Sequence, residues 1–309
     1  MNLTTRVGEV RLANPVLAAS GTLGFGPEYG EWVDVAQLGG VAVKGVSPEP
    51  WRGNPPPRVW ETPSGLLNSI GLQNPGVERF VAEDLPYLRD RGATVVVNII
   101  GRTLGEYAAV ARRLDGEPGV HALELNISCP NVKEGGIQFG HDAAAAAAVT
   151  RAVKNVTSLP VWVKLSPNTH DLPGIARAVA AEGADAISAI NTLVGMAIDV
   201  ERRRPALGGV TGGLSGPAIR PIAVRAVWEV SQAVNVPVVG IGGIESAADV
   251  LEFLLAGASA VMVGTATFSR PDAMATIIGE LPAVLERYRF DSVRAAIGAA
   301  HPGRGTHER

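Results

Sequence analysis

The sequence holds a single cysteine among its 309 residues, Cys129, and this scarcity excludes two kinds of framework. One cysteine cannot form an internal disulfide. It also cannot ligate an iron–sulfur cluster, which needs several ligands from the protein. The sequence therefore predicts neither a disulfide scaffold nor a cluster held by this chain's own cysteines.

Positive charge and long apolar runs are also scarce. Lys and Arg number 27 against 30 Asp and Glu, and the net charge of −3 gives no electrostatic case for nucleic-acid binding. The most apolar window, 253–268, is broken by glycines and hydroxyls and is shorter than the ~20 residues of a membrane span. The opening MNLTTRVGEV lacks the pattern of a signal peptide. We expect a soluble, cytoplasmic protein that contacts neither nucleic acid nor a membrane.

Two nucleotide-binding signatures are missing as well. No G-x-G-x-x-G occurs in a βαβ unit, and there is no Walker loop. Neither a dinucleotide nor ATP is therefore the expected occupant of a site on this chain, and no metal site is predicted.

Short apolar runs do recur along the chain, and they alternate with amphipathic or alanine-rich segments. Strands are predicted at 41–44, 66–68, 95–99, 123–127, 161–165, 186–190, 238–241 and 260–263. Helices are predicted at 77–89, 104–114, 143–156, 172–181, 217–233, 247–255 and 272–287, with Asp142 and Ser246 as N-caps. Eight strands alternating with helices predict an α/β protein, a single-domain (β/α)8 TIM barrel over residues 1–300. Residues 301–309, rich in Gly, His and Arg, are predicted to be a disordered tail.

Polar side chains stand at or just beyond the ends of six predicted strands. In a barrel the carboxyl ends of the strands converge on one face, where active sites are built. An Asn after a single strand is commonly a turn residue, but six strands with this feature are hard to assign to turns alone. Amides and two ammonium groups would line a pocket suited to a flat, polar, anionic ligand. These residues are Lys44, Asn68, Asn98, Asn126, Lys164 and Asn191 with Thr192.

Glycines follow the last two predicted strands, as Gly242 with Gly243 and as Gly264 before Thr265. In barrels these two loops commonly form a phosphate site, because bare backbone N–H groups can approach the anion. Gly216 could add a third close approach. Together the glycines favour a phosphate-bearing cofactor, although glycine also serves simple turns.

Cys129 lies where the strand pattern of LELNI ends, and Pro130 forces a turn there. A lone cysteine is often a small buried apolar residue. A thiol at a strand end among amides, followed by a glycine-rich loop, instead favours a proton-transfer base.

Several stretches resemble the motifs of dihydroorotate dehydrogenases, over residues 3–288. They are NISCPNVKEGGIQFG, KGVSPEPWRGNPPPR, LLNSIGLQNPG, GIGGI and MVGTA. The resemblance implies an FMN-containing (β/α)8 barrel that oxidises dihydroorotate to orotate in pyrimidine synthesis. Cysteine in the SCPN loop is typical of class 1, and NVKEGGIQFG resembles class 1B, the NAD-linked type.

The resemblance also implies a role for each site residue. Cys129 would be the base. The substrate would be held by Lys44, Asn68, Ser69, Ile70, Gly71, Leu72, Asn126, Asn131, Asn191 and Thr192. One FMN would be bound by Ser20, Lys44, Gly45, Asn98, Asn126, Lys164, Ile190, Gly216, Gly242, Gly243, Gly264 and Thr265.

Class 1B further implies a partner, because this chain lacks an NAD fingerprint and cluster-ligating cysteines. An iron–sulfur flavoprotein would supply FAD, a [2Fe–2S] cluster and the NAD site, in a heterotetramer built on a barrel homodimer. Three alternatives stay open: a fumarate-dependent class 1A enzyme, a flavin barrel like dihydropyrimidine dehydrogenase, and a non-catalytic binding barrel.

Overall fold

The computed structural model of the protein describes residues 1–127 and 140–302 and contains a closed barrel of eight parallel strands. Each barrel strand pairs with its neighbours in chain order, and the eighth strand pairs with the first, so the ring is complete. In order, the barrel strands are Val16–Ala18, Gly40–Ala42, Val95–Ile99, Ala122–Asn126, Val161–Leu165, Ala186–Ala189, Val238–Ile241 and Ala258–Val263. The predicted (β/α)8 barrel is confirmed.

Two apolar layers hold the barrel together. Alternate strand residues such as Leu17, Val96, Trp162 and Met262 point inward and fill the barrel interior. The residues between them pack outward against the surrounding helices. The α-helices are Val77–Arg79, Leu85–Asp90, Leu104–Leu114, Ala143–Lys154, Leu172–Ala181, Arg220–Ala233, Ala247–Leu255, Ala266–Ser269, Ala273–Arg287 and Val293–Ala296, with 3₁₀ turns at Pro27–Tyr29, Val35–Gln37 and Pro217–Ile219 and a π-helical turn at Phe80–Asp84.

Side-chain caps fix where several of these helices begin. Asp142 accepts a hydrogen bond from Ala145 N at 2.7 Å, as the sequence predicts. Ser246 forms a reciprocal capping box with Asp249, which places the start of this helix directly after the Gly242–Gly243 turn.

A short antiparallel hairpin closes the amino-terminal end of the barrel. Its strands are Thr5–Val7 and Val10–Leu12, and their buried side chains join the interior apolar cluster. The Thr5 hydroxyl also donates to Ser259 O at 2.8 Å, near the start of the eighth barrel strand. With this end plugged, ligand access is confined to the opposite face.

A four-stranded antiparallel sheet covers part of the carboxyl-terminal face. It is built from the loops after the second and sixth barrel strands. Its strands, in spatial order, are Leu193–Gly195, Gly212–Ser215, Gly65–Asn68 and Val59–Thr62. A two-stranded ribbon, Ile198–Asp199 with Arg204–Pro205, extends from the loop after the sixth strand.

The prediction that 66–68 is a barrel strand is wrong. This run lies in the small sheet, where Leu67 pairs with Trp60 and Leu214. The first barrel strand is instead Val16–Ala18, which has only three residues and lacks a polar residue directly at its end. Two leucines followed by an asparagine fit either kind of sheet, because the pattern reports partial burial and not the pairing partner.

Three further expectations concern the C-terminal tail, membrane-spanning helices and metal sites. The predicted tail begins at His301, but that ring packs edge-on against Trp228 with centroids 4.5 Å apart. The remainder, 303–309, lies outside the described residues. Within 1–127 and 140–302, no helix is long and apolar enough to cross a membrane. The same ranges contain no group of three or more His, Cys, Asp or Glu side chains arranged to hold a metal ion.

Candidate active site

A cavity of about 650 Å³ opens at the carboxyl ends of the barrel strands, beneath the four-stranded sheet. Its size is typical of a site that encloses a cofactor or a drug-sized ligand. The predicted site residues that line it are Ser20, Lys44, Gly45, Asn68, Ser69, Ile70, Gly71, Leu72, Asn98, Asn126, Lys164, Ile190, Asn191, Thr192, Gly216, Gly242, Gly243, Gly264 and Thr265. Cys129 and Asn131 lie outside the described residues.

Two lysines supply positive charge to this cavity. Lys44 follows the second barrel strand, and Lys164 belongs to the fifth. Burial, and secondarily the nearby charge of Lys164, lower the pKa of Lys44 to about 8. Gly21 leaves room for the Lys44 ammonium, since a Cβ there would lie 3.3 Å from Nζ. The two cations make the cavity a site for an anionic ligand.

A buried carboxylate lies behind one of these lysines. Glu124 Oε2 accepts a hydrogen bond from Asn98 Nδ2 at 2.6 Å and lies 3.8 Å from Lys164 Nζ. Glu124 is fully buried in the fourth barrel strand. Glu124 is not among the predicted site residues, although the period of two in LELN places it on the same strand face as Asn126.

Amide side chains also meet in the cavity, beside Lys164, which is the strand partner of Asn126. Asn191 Nδ2 lies 3.3 Å from Asn126 Oδ1, and Tyr107 fixes the backbone there by donating its hydroxyl to Asn126 O at 2.7 Å. Asn68 reaches the cavity from the covering sheet, where its Nδ2 donates to Gly213 O at 3.2 Å. Asn68 therefore lies in the site, although not at the end of a barrel strand.

Asn168 is a second cavity residue that is not among the predicted site residues. It lies three residues beyond the fifth barrel strand and lines the cavity. Its Nδ2 donates to Thr192 O at 3.0 Å, and its Oδ1 accepts from Val194 N at 2.9 Å. Asn168 thus fixes the loop that carries Asn191 and Thr192.

Glycines form a close-packed cradle at the other end of the cavity. Gly216, Gly242 and Gly243 all have positive φ values, of 91°, 135° and 71°. A Cβ on Gly243 would lie 2.8 Å from Gly216 O and 2.7 Å from Arg220 Cβ. A side chain is therefore disfavoured here both by the positive φ and by the lack of room for a Cβ. The exposed backbone suits a phosphate group.

The donor set fits FMN, the cofactor that the resemblance implies. Among the described residues, Asn98 Oδ1 is buried without a hydrogen-bond partner, and Asn98 lines the cavity. A buried carbonyl oxygen of this kind calls for a donor from a ligand. Lys164 lies close by, and the glycine cradle can receive a phosphate.

Comparisons with known proteins assign the family. A sequence profile of the dihydroorotate dehydrogenase family matches residues 2–285. The chain belongs to the dihydroorotate dehydrogenase family. Two similar relatives are both named "dihydroorotate dehydrogenase B (NAD(+)), catalytic subunit". The protein of Desulforamulus reducens is 54% identical over 301 residues, 97% of this chain and 99% of the relative. That of Desulforudis audaxviator is 56% identical over 295 residues, 96% of each.

A third relative with the same name comes from a Geobacter species. It is 53% identical over 298 residues, which cover 96% of this chain and 98% of the relative. The resemblance stated from the motifs is therefore confirmed, and this member of the dihydroorotate dehydrogenase family is an oxidoreductase. The cavity described above is its candidate active site.

Proposed function

We propose that this chain oxidises dihydroorotate to orotate with FMN as its cofactor, as the catalytic subunit of an NAD-linked enzyme. The observation that carries the proposal is the convergence of two lysines and several asparagines on one cavity that also holds a glycine cradle. Such a site offers cations to a carboxylate, amides to a pyrimidine and bare backbone to a phosphate.

The substrate end is assigned to the amide cluster. Lys44 pairs with the substrate carboxylate, because a buried ammonium binds an anion strongly. The amides of the cluster and the backbone below the covering sheet bind the ring. These residues are Asn68, Ser69, Ile70, Gly71, Leu72, Asn126, Asn131, Asn191 and Thr192.

The cofactor end is assigned to the residues around Asn98 and the glycine cradle. Asn98 Oδ1 accepts a hydrogen bond from the cofactor ring, and Lys164 offers it a positive charge. The remaining ring contacts come from Ser20, Lys44, Gly45, Asn126 and Ile190, and the ribityl phosphate contacts from Gly216, Gly242, Gly243, Gly264 and Thr265.

The reaction divides into a proton transfer and a hydride transfer. Cys129, three residues beyond Asn126 in sequence, takes the proton from C5 of dihydroorotate. A thiol with an ordinary pKa of ~8.5 is near enough to neutrality to serve as a base. FMN, when bound, supplies the acceptor for the hydride that leaves C6. Oxidation at these two carbons yields orotate.

Delivery of electrons to NAD requires a second protein, because this chain has one cysteine and no dinucleotide fingerprint. We assign FAD, a [2Fe–2S] cluster and the NAD site to an iron–sulfur flavoprotein subunit, joined to a barrel homodimer in a heterotetramer. The isolated chain, given dihydroorotate anaerobically, should reduce artificial dyes but not NAD. Sustained turnover with NAD alone would contradict the need for a partner, and fast turnover with fumarate would indicate class 1A.

Ligand choice tests the assignment of the substrate. Orotate should perturb the absorbance of the bound flavin, whereas uracil, which lacks the carboxylate, should bind far more weakly. Lys44→Ala should weaken orotate binding by about 10- to 100-fold, which corresponds to one charge-assisted hydrogen bond. Weak uracil binding should stay unchanged in this variant. Tighter binding of uracil than of orotate by the parent chain would contradict the proposal and favour a dihydropyrimidine dehydrogenase-like barrel.

A further inference from the structure

Glu124 is a fully buried acid that the reaction described above does not use. It stands in the fourth barrel strand, where its Cα is paired with those of Asn98 and Trp162 in the neighbouring strands. Paired residues of parallel strands present their side chains to the same face, here the barrel interior. An ionised acid is rarely buried unless it has partners. Its partners are Asn98 and Lys164.

The contact with Asn98 fixes the orientation of that amide. An ionised carboxylate only accepts hydrogen bonds, so the Asn98 group 2.6 Å from Glu124 Oε2 must be the NH₂. Asn98 Oδ1 is thereby turned toward Gly45, where an added Cβ would lie 2.7 Å from it. Gly45 lines the cavity, so Asn98 presents an acceptor on the cavity side.

The contact with Lys164 brings a positive and a negative side chain together at the cofactor end of the cavity. Lys164 lies 3.8 Å from Glu124, and its charge contributes to the lowered pKa of Lys44. Glu124 therefore places one buried carboxylate beside the ammonium group of Lys164, which is itself near enough to Lys44 to lower its pKa. In an interior of low dielectric constant, such a charge affects any redox centre nearby.

We propose that Glu124 is a positioning residue for the cofactor: its carboxylate holds Asn98 in the acceptor orientation and offsets the charge of Lys164, so that it lowers the reduction potential of bound FMN. This inference rests on the proposed FMN site. Reduction adds negative charge to a flavin, and a nearby anion opposes that change. Removing the charge of Glu124 should therefore favour reduction.

Two substitutions separate the charge of Glu124 from its reach. Glu124→Gln keeps the length of the side chain but removes the charge. Glu124→Asp keeps the charge but shortens the side chain, so that the carboxylate no longer reaches Asn98. Ser188→Ala is the matched control, because Ser188 is also buried, has no hydrogen-bond partner among the described residues and carries no charge.

The measurements are the midpoint potential of bound FMN and the FMN dissociation constant, both at pH 6, where Lys44 is protonated. We expect Glu124→Gln to favour reduction by about tenfold or more, which is a rise of about 30 mV for a two-electron couple. Glu124→Asp should shift the potential by less than this. Glu124→Asp should weaken FMN binding by about 2- to 10-fold, because Asn98 is no longer held. Glu124→Gln should weaken it less, because its amide oxygen can still accept a hydrogen bond from Asn98.

Ser188→Ala should change neither quantity. An unchanged or lowered potential in FMN-bound Glu124→Gln would overturn the inference, and so would an equal rise in both Glu124 variants, which would indicate distortion. If Glu124→Gln retains no FMN, the midpoint potential of FMN bound to Glu124→Asp tests the inference instead. A rise of about 30 mV in that potential would overturn it. Neither readout involves dihydroorotate. A parent chain that binds no FMN would instead refute the proposed function.

Discussion

Asn168 Nδ2 donates a hydrogen bond to the backbone oxygen of Thr192 at 3.0 Å. The bond joins the loop after the fifth barrel strand to the loop after the sixth, and Asn168 Oδ1 strengthens the connection by accepting from Val194 N at 2.9 Å. The loop held in this way carries Asn191 into the cavity, where it meets Asn126. Asn168 is therefore expected to act on the substrate end of the site through its neighbours.

Replacing Asn168 by Ala should loosen this loop. The substitution removes a bond to Ser166 Oγ and the two hydrogen bonds that hold the loop of Thr192. Each of those two is worth about 0.5–1.5 kcal/mol, so we expect orotate to bind about 5- to 100-fold more weakly. The FMN dissociation constant should stay within twofold. Asn155→Ala, at the C-terminal cap of the helix Ala143–Lys154, is the matched control and should alter neither. Equal losses of orotate and FMN binding would mean that Asn168 supports the whole barrel.

Lys44 should destabilise the ligand-free protein. Its pKa is lowered from 10.5 to about 8, so the folded state disfavours the charged form. The penalty is fully present below pH 8, where Lys44 is charged both folded and unfolded, and it disappears as the pH rises toward 10.5. A shift of this size corresponds to about 3 kcal/mol.

Lys44→Met should therefore raise the free energy of unfolding of the FMN-free chain by about 2–3 kcal/mol at pH 7, as measured by urea denaturation. The gain should shrink between pH 8 and 10.5. Lys154→Met is the control, because Lys154 pairs with Asp185 at 2.8 Å and its loss should not stabilise the fold. If Lys44→Met does not raise the free energy of unfolding at pH 7, burial of the Lys44 ammonium does not destabilise the folded chain.

The glycine cradle should not tolerate a side chain. Gly243→Ala places a methyl group 2.8 Å from Gly216 O at a φ of 71°, so we expect FMN affinity to fall by at least about tenfold. Gly279→Ala is the matched control: it adds the same methyl group to a helix, where nothing lies within 4 Å. That change should leave FMN binding intact. Normal FMN affinity in Gly243→Ala would place the phosphate elsewhere.

Loss of the thiol at Cys129 should slow substrate oxidation without loss of cofactor. Cys129→Ala should bind FMN normally, whereas dihydroorotate should reduce the flavin about 10²–10⁴-fold more slowly, the usual contribution of a general base. The parent's rate should rise with pH as the thiol ionises. Stopped-flow absorbance under anaerobic conditions measures both rates. Near-normal reduction in the alanine variant would remove Cys129 from the mechanism.

Much of the fold could be predicted because its signals are local. The helices Leu104–Leu114, Leu172–Ala181 and Ala247–Leu255 match their predicted bounds, since caps and apolar spacing define both ends. The first barrel strand and the covering sheet were not found. Val16–Ala18 has only three residues. One of the two strands that pair with 66–68, Gly212–Ser215, comes from a much later loop, so the local pattern could not reveal which sheet this run joins.

The site divides in a similar way. Lys44, Asn98 and Lys164 could be predicted because they follow or end apolar runs, and the barrel brings such residues to one face. Glu124 was missed because a charged residue inside a strand resembles an outward-facing residue until the neighbouring strands are known. The role of Asn168 depends on a contact between two loops, which spacing along the chain does not reveal.

Oxidation of dihydroorotate by this chain can be measured directly by mixing the purified, FMN-loaded chain with dihydroorotate in the absence of oxygen. We expect the visible absorbance of the flavin to be lost and one orotate to form for each flavin reduced. Restoring oxygen or adding an artificial dye should bring the absorbance back. Flavin that stays oxidised in the presence of excess dihydroorotate would show that this chain does not oxidise dihydroorotate.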